Sequence, residues 1–239
     1  MIAIETVDET GSTNADLLAR VPALSKPLLL RALRQNAGRG RAGRSWLSDP
    51  DSSLTFSLAW KFAGPTQRLL GLPLAVGVAL AEALASLDVG AQLKWPNDVL
   101  KDGDKLAGIL IETQAANDGG VWAVIGIGMN LLMPAELEAR IGRSAAAAPW
   151  LARMDRDALM ARLLGFLEDA MREFDAAGFA PFRARWNALH AWRGHKVVIK
   201  DGDAIVQRGC ALGVDDFGRL VLDNGAEIVA GDVSLRLED

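Results

Sequence analysis

The stretch Gly38-Arg39-Gly40-Arg41-Ala42-Gly43-Arg44-Ser45-Trp46 sets three glycines and three arginines within nine residues. Glycine frees the backbone to take positive φ and lets its N–H groups approach a ligand, while arginine brings forked, permanently charged donors suited to carboxylate and phosphate. Such a segment reads as a loop, and an anion cradle is one use for it. The spacing also spells GxGxxG, the dinucleotide fingerprint, which needs a strand before the glycines and a helix opening on them. The apolar run Leu28 to Leu33 supplies a strand. Arg44 to Ser53, however, is polar, holds Pro50 and has no apolar residues at helical spacing, so the dinucleotide reading fails. A solvated basic loop and an RGG-like nucleic-acid tether stay open beside the cradle.

The flanks give this loop its frame. Pro27 opens an expected strand over Leu28 to Arg34, and Ser53 to Trp60 alternates, with Leu54, Phe56, Leu58 and Trp60 on one face. The connection between them is about eighteen residues, longer than structural need explains, and loops of that size are often functional. Upstream, Met1 to Val7 alternates like a strand. Gly11-Ser12-Thr13-Asn14 then starts a short helix to Arg20, with Leu17 and Leu18 as its apolar face. Ser12 and Thr13 are either plain N-caps or hydroxyls offered to a polar ligand at a helix N-terminus.

Downstream, Leu69 to Leu87 reads as a buried helix, and Gln92 to Val99 as a strand stopped by Pro96 and turned by Asn97 and Asp98. After a turn at Asp102-Gly103-Asp104, Lys105 to Glu112 is a strand containing Gly108. Lys94 and Lys105 either snorkel from strand ends or point at an anion. Val121 to Met129 is an apolar strand ending in Asn130, and Gly126 and Gly128 within it suggest close approach to the backbone. Met133 to Trp150 is rich in small residues and reads as a mobile connection. Asp157 to Ala177 and Pro181 to Ala191 carry helical periodicity. From Gly194 five short strands (196–200, 204–213, 219–222, 227–230 and 233–237) alternate with turns, the pattern of a small β-barrel. The expected organisation is a large α+β domain over residues 1–193 and a small barrel over 194–239.

With 239 residues, half of them hydrophobic, the chain has room for both cores. The formal net charge of −4 provides no global field for a polyanion, so any anion site is local. One cysteine, Cys210, forms no internal disulfide, no basic-then-apolar leader opens the chain, and no run approaches the roughly 20 uninterrupted apolar residues of a membrane span. The expectation is a cytoplasmic protein with no membrane partner. Only two histidines exist, His190 and His195, too few with one cysteine for a histidine metal cluster or a Cys-His dyad. Chemistry must run on Arg, Lys, Asp and a loosely held ion.

Ser12-Thr13-Asn14, Gln35 through Trp46, Lys94-Trp95-Pro96-Asn97-Asp98, Lys105-Leu106-Ala107-Gly108-Ile109-Leu110 and Gly126-Ile127-Gly128-Met129-Asn130, in that order and spacing, resemble the biotin protein ligase family. Val214-Asp215-Asp216-Phe217-Gly218 and its strands are similar to that family's terminal domain. The resemblance implies a class II synthetase-like mixed β-sheet flanked by helices, followed by an SH3-like barrel. It implies a two-step reaction: ATP and biotin, with Mg2+, form biotinyl-5′-AMP, and biotin passes to one lysine of a carboxylase's biotin carboxyl carrier domain. It implies biotin contacts at Ser12, Thr13, Asn14, Gln35, Gly38, Arg39, Gly40, Arg41, Lys105 and Gly108. ATP or adenylate contacts fall at Arg39, Arg41, Trp46, Asn97, Lys105 and Asn130. The catalytic set is Arg41, Lys94, Asp98 and Lys105; metal ligands stay unassigned. Many bacterial members carry an N-terminal DNA-binding domain, and since the first block here starts at Ser12 no DNA partner is expected. A homodimer is compatible with the resemblance. Lipoate attachment on the same fold and a non-catalytic biotin sensor remain the rivals.

Overall fold

Alternating and continuous apolar runs become strands wherever a turn signal bounds them, and the computed structural model, which describes residues 2–238, follows that rule closely. Met1, the first residue of the expected N-terminal strand, and Asp239, the last of the expected barrel, lie outside the described residues. Two compact units result, one of residues 1–68 and 104–162, the other of residues 69–103 and 163–239.

In the first unit, β1 (Ala3–Thr10) leads into α1 (Thr13–Arg20), followed by β2 (Leu28–Gln35) and β3 (Ser53–Phe62). The strands there lie in the order β1-β2-β3-β7-β6, with β6 at Asp104–Ala115 and β7 at Val121–Asn130. The β1–β2 pair is parallel and the others antiparallel, so the sheet is mixed. Helix α1 and the turn that follows it cover one face, burying Leu17 and Val21 against Leu28, Leu30, Ala59, Trp122 and Val124. Burying these apolar side chains contributes roughly 1.5–3 kcal/mol each. Residues 53 to 60 of β3 are buried on both faces rather than on the one the alternation marked, with Ser57 fully inside. A buried hydroxyl needs partners, and Ser57 has two (below).

The second unit holds α2 (Leu72–Ala85), the antiparallel hairpin of β4 (Gln92–Lys94) and β5 (Asp98–Lys101), and α5 (Arg183–Ala188). Thr66–Ala85 is long and apolar enough to cross a membrane by composition alone, which the sequence reading did not mark. Eleven of the α2 residues are buried, among them Leu72, Leu80 and Leu84, as befits a core helix. Phe174, Phe182 and Trp186 add an aromatic core. The terminal strands β8 (Lys196–Asp201), β9 (Ala204–Val214), β10 (Leu220–Leu222), β11 (Glu227–Ile228) and β12 (Val233–Leu237) form a sheet ordered β11-β10-β9-β8-β12, the small SH3-like barrel. Asn187 of α5 bonds the Val214 backbone at both N–H (2.7 Å) and C=O (3.1 Å).

The segment from Met133 to Trp150 is not structureless: α3 (Ala135–Ile141) begins after Pro134 and ends on Gly142 at φ 70°. Seven residues beside a proline give too short a periodic signal to see in the sequence. The long helix α4 (Arg156–Ala177) starts on Asp155, whose carboxylate accepts from the N–H of Asp157 and Ala158.

Candidate active site

Glycine builds the site by what it leaves out. A Cβ on Gly126 would sit 2.3 Å from Asn14 Oδ1, and one on Gly128 would sit 2.2 Å from the Trp46 ring. One on Gly108 would meet Lys105 Nζ at 2.9 Å. These three positions of β6 and β7 are therefore a side-chain-free floor on which Asn14, Trp46 and Lys105 lie. That is the close approach the two β7 glycines foretold.

At one end of the floor is the start of α1. Ser12 caps the helix, its Oγ accepting from the Ala15 N–H. Thr13 and Asn14 do more. The Thr13 N–H donates to Gln35 Oε1 (2.8 Å), and the Thr13 hydroxyl lies 3.1 Å from the same oxygen and 2.7 Å from Ser57 Oγ. Ser57 in turn donates to Asn14 Oδ1 (2.6 Å). Asn14 Nδ2 donates to the Leu110 carbonyl (3.3 Å) and Glu112 Oε2 (2.9 Å). Ser12, Thr13, Asn14 and Ser57 are all buried. Ser57 and Glu112 were absent from the sequence-based set. A serine inside an apolar strand was the available signal for the first; nothing distinguished Glu112 from any strand-end carboxylate.

The Gly/Arg segment is a small hairpin. Trp46 N–H donates to the Gly38 carbonyl (2.9 Å) and Gly40 N–H to the Arg44 carbonyl (2.6 Å). Its tip turns through Ala42 and Gly43, both at positive φ (52° and 69°). Gly38 cannot be replaced in place, since a Cβ there would lie 2.4 Å from the Trp46 carbonyl oxygen. Arg39 Nη2 reaches Glu112 Oε2 at 2.9 Å, tying the hairpin to the polar cluster below. Trp46 lies with Lys105 Nζ 5.7 Å from its ring centre, and its buried indole N–H has no hydrogen-bond partner, an orphan donor in the groove. Asn130 Nδ2 donates to the carbonyls of Lys105 (3.3 Å) and Ala146 (3.1 Å), so it fixes the backbone on which Lys105 stands.

Of the residues singled out from the sequence, Ser12, Thr13, Asn14, Gln35, Gly38, Arg39, Gly40, Arg41, Trp46, Lys105, Gly108 and Asn130 belong to the first unit. Lys94, Asn97 and Asp98 belong to the second, on and beside the β4–β5 hairpin, where Lys94 and Asp98 pair. Among the described residues no group of three or more His, Cys, Asp or Glu side chains is placed to hold a metal.

The mixed sheet thus brings a glycine floor, a helix N-terminus and a cationic hairpin together, an arrangement suited to a polar, anionic ligand. Residues 5–130, more than half of the chain, match the model of the biotin/lipoate A/B protein ligase family, and residues 194–236 match that of the biotin protein ligase C terminal domain. The chain belongs to the biotin protein ligase family. It is 36% identical over 243 residues to the biotin--[acetyl-CoA-carboxylase] ligase of Mycobacterium tuberculosis, covering 96% of this chain and 88% of that protein. It is 33% identical over 235 residues to the bifunctional ligase/repressor BirA of Escherichia coli, covering 94% of this chain and 71% of that protein. The structure of the biotin protein ligase from Aquifex aeolicus in complex with biotin and ATP superimposes with a TM-score of 0.81 at 28% identity, covering 99% of both chains.

Proposed function

We infer that this chain is an ATP-dependent biotin protein ligase, which joins biotin and ATP into biotinyl-5′-AMP, releases pyrophosphate and passes the biotinyl group to a protein lysine. The observation that carries this reading is the buried Thr13–Ser57–Asn14 polar cluster beside a glycine floor, with an arginine-bearing hairpin tied to it. A ureido ring needs donors and acceptors together, and that cluster has both. The relatives' names point the same way.

The physical problem in the first step is repulsion. Carboxylate and α-phosphate at about 4 Å oppose each other by on the order of 4 kcal/mol at an effective dielectric near 20. We assign Arg39, Arg41 and Lys105 to offsetting it, with Lys94 as a further cation, while charge builds on the phosphate. Trp46 and the hairpin exclude the water that would hydrolyse the mixed anhydride. Asn97 and Asn130 are assigned to the adenylate and its support, and Asp98 to the incoming lysine. Magnesium enters with the substrate as MgATP, whose phosphate oxygens supply its hard oxygen ligands.

The acceptor we propose is the biotin carboxyl carrier domain of a carboxylase. We propose further that residues 194–239 act as a separate domain, and that the protein works in the cytoplasm, where a lone Cys210 stays reduced. No DNA partner is proposed, given the net charge of −4. A homodimer would use the outer edge of β1, whose one sheet partner is β2; light scattering reads it. The ligase reading itself is tested by pyrophosphate release with MgATP and either biotin or lipoate: biotin alone should support it.

A further inference from the structure

We propose that Glu112 is a positioning residue: it sets the direction of the hydrogen bonds running Thr13–Ser57–Asn14, so that the Thr13 oxygen faces the ligand headgroup as an acceptor. The inference rests on the ligase reading above, in which that headgroup lies along Thr13.

The direction follows from counting protons. A carboxylate has lone pairs and no donor, so Glu112 Oε2, at 2.9 Å, demands the NH2 end of the Asn14 amide. The Leu110 carbonyl at 3.3 Å makes the same demand. The amide oxygen is thereby turned the other way, over Gly126, where the missing Cβ leaves it room. That oxygen only accepts, so it takes the single proton of Ser57 at 2.6 Å. Ser57 Oγ, 2.7 Å from Thr13 Oγ1, has then no proton left to give and must accept from Thr13. Gln35 Oε1, 3.1 Å from the same hydroxyl, is an acceptor as well, its orientation fixed by the Thr13 N–H at 2.8 Å. Every side-chain neighbour of the Thr13 hydroxyl therefore draws on its one proton. Its lone pairs are left for an incoming N–H, which a cyclic urea supplies. Run backwards, the Ser57 proton would occupy one of those lone pairs and release the Thr13 proton to turn toward the headgroup, so Thr13 would meet the N–H as a weaker acceptor.

Arg39 donates to the same Glu112 oxygen, at 2.9 Å. Removing the carboxylate thus loosens the hairpin too, and the experiment has to tell the two effects apart. The discriminating substrates are the two cyclic carbamate analogues of biotin, in each of which one ureido N–H is replaced by oxygen. The enzyme compared is the full chain, wild type, Glu112→Gln and Glu112→Leu, followed by pyrophosphate release.

The wild type is expected to reject the analogue lacking the N–H that meets Thr13 by at least about tenfold in kcat/KM relative to its isomer. In Glu112→Leu that ratio falls to within about threefold of unity, while KM for biotin rises about 10- to 100-fold. Glu112→Gln, which keeps one acceptor oxygen, falls between. A loosened Arg39 lowers both isomers alike, and a partly unfolded preparation cancels in the ratio. A wild-type ratio retained in Glu112→Leu would overturn the role of Glu112 and leave the ligase reading standing. A wild type that releases no pyrophosphate with biotin sinks both.

Discussion

Lys94 Nζ stands 3.5 Å from the Asp98 carboxylate across one register pair of the β4–β5 hairpin, with side chains only 10% and 15% exposed. The Trp192 ring lies 4.8 Å from the same ammonium. A carboxylate held in place by a cation and kept from bulk water is suited to receive a second ammonium. Asp98→Asn preserves the shape of the pair and removes its charge. Adenylate formation should survive, while biotin transfer from preformed adenylate to a carrier domain falls about 10²-fold in single turnover. Unchanged transfer at every pH would remove Asp98 from the reaction.

Gly128→Ala separates the floor from the sheet. An added Cβ would lie 2.2–2.5 Å from three Trp46 ring atoms, so the indole has to leave. Because Trp46 belongs to the hairpin and not to the sheet, thermal stability should change by no more than about 1 kcal/mol. Protection of the hairpin arginines from trypsin by biotin and ATP should nonetheless be lost. Persisting protection would mean that the indole is no part of closure.

Arg185 joins α5 to two carboxylates, reaching Glu82 through Nε and Nη2 (2.8 and 2.7 Å) and Glu173 through Nη1 (2.9 Å). The Glu82 hydrogen bonds first, then the one to Glu173, hold its pKa well above the ordinary arginine value against the opposing effect of burial. Since the side chain is 36% exposed, water screens much of this. Arg185→Ala should cost about 1–2 kcal/mol in urea unfolding, and Arg185→Lys, without the planar fork, should recover only part of it. No shift in midpoint would make the network ornamental.

His190 is buried beside Trp186, with ring centres 4.7 Å apart, and neither ring nitrogen has a partner. Burial first, then the charges of Arg193 and His195, lowers its pKa to about 4. In the unfolded chain the imidazole titrates near its ordinary 6.5. Between those values the unfolded state binds a proton that the folded state refuses, so stability falls as pH drops from about 6.5 to about 4. The loss is on the order of 2–3 kcal/mol. His190→Leu should flatten that part of the melting-temperature profile relative to wild type; parallel profiles would show that His190 does not set it.

Most of the sheet was legible because each strand carries its own bounding turns, as at Asp102-Gly103 and Asn117 to Gly120. The close approach at Gly126 and Gly128 was legible for the same local reason, since glycine marks where a Cβ cannot go, whereas the Gly/Arg stretch read only as a loop and its hairpin pairing did not show. What escaped was non-local. Residues 53 to 60 of β3 alternate as if one face were wet, yet Ser57 is buried because partners 43 and 44 positions earlier, Asn14 and Thr13, satisfy its hydroxyl. Glu112 gains its place from Asn14 and Arg39, 98 and 73 residues away, and no local pattern encodes such pairings. The short α3 was hidden by Pro134 and the small residues around it.

The central claim is that this chain's cationic hairpin and polar cluster make an acyl-adenylate. Purified protein mixed with MgATP and biotin should release one pyrophosphate per active site in a burst and retain a compound with the mass of biotinyl-AMP, while lipoate gives neither. A protein that hydrolyses no ATP in the presence of biotin, or that serves lipoate equally well, would contradict the account.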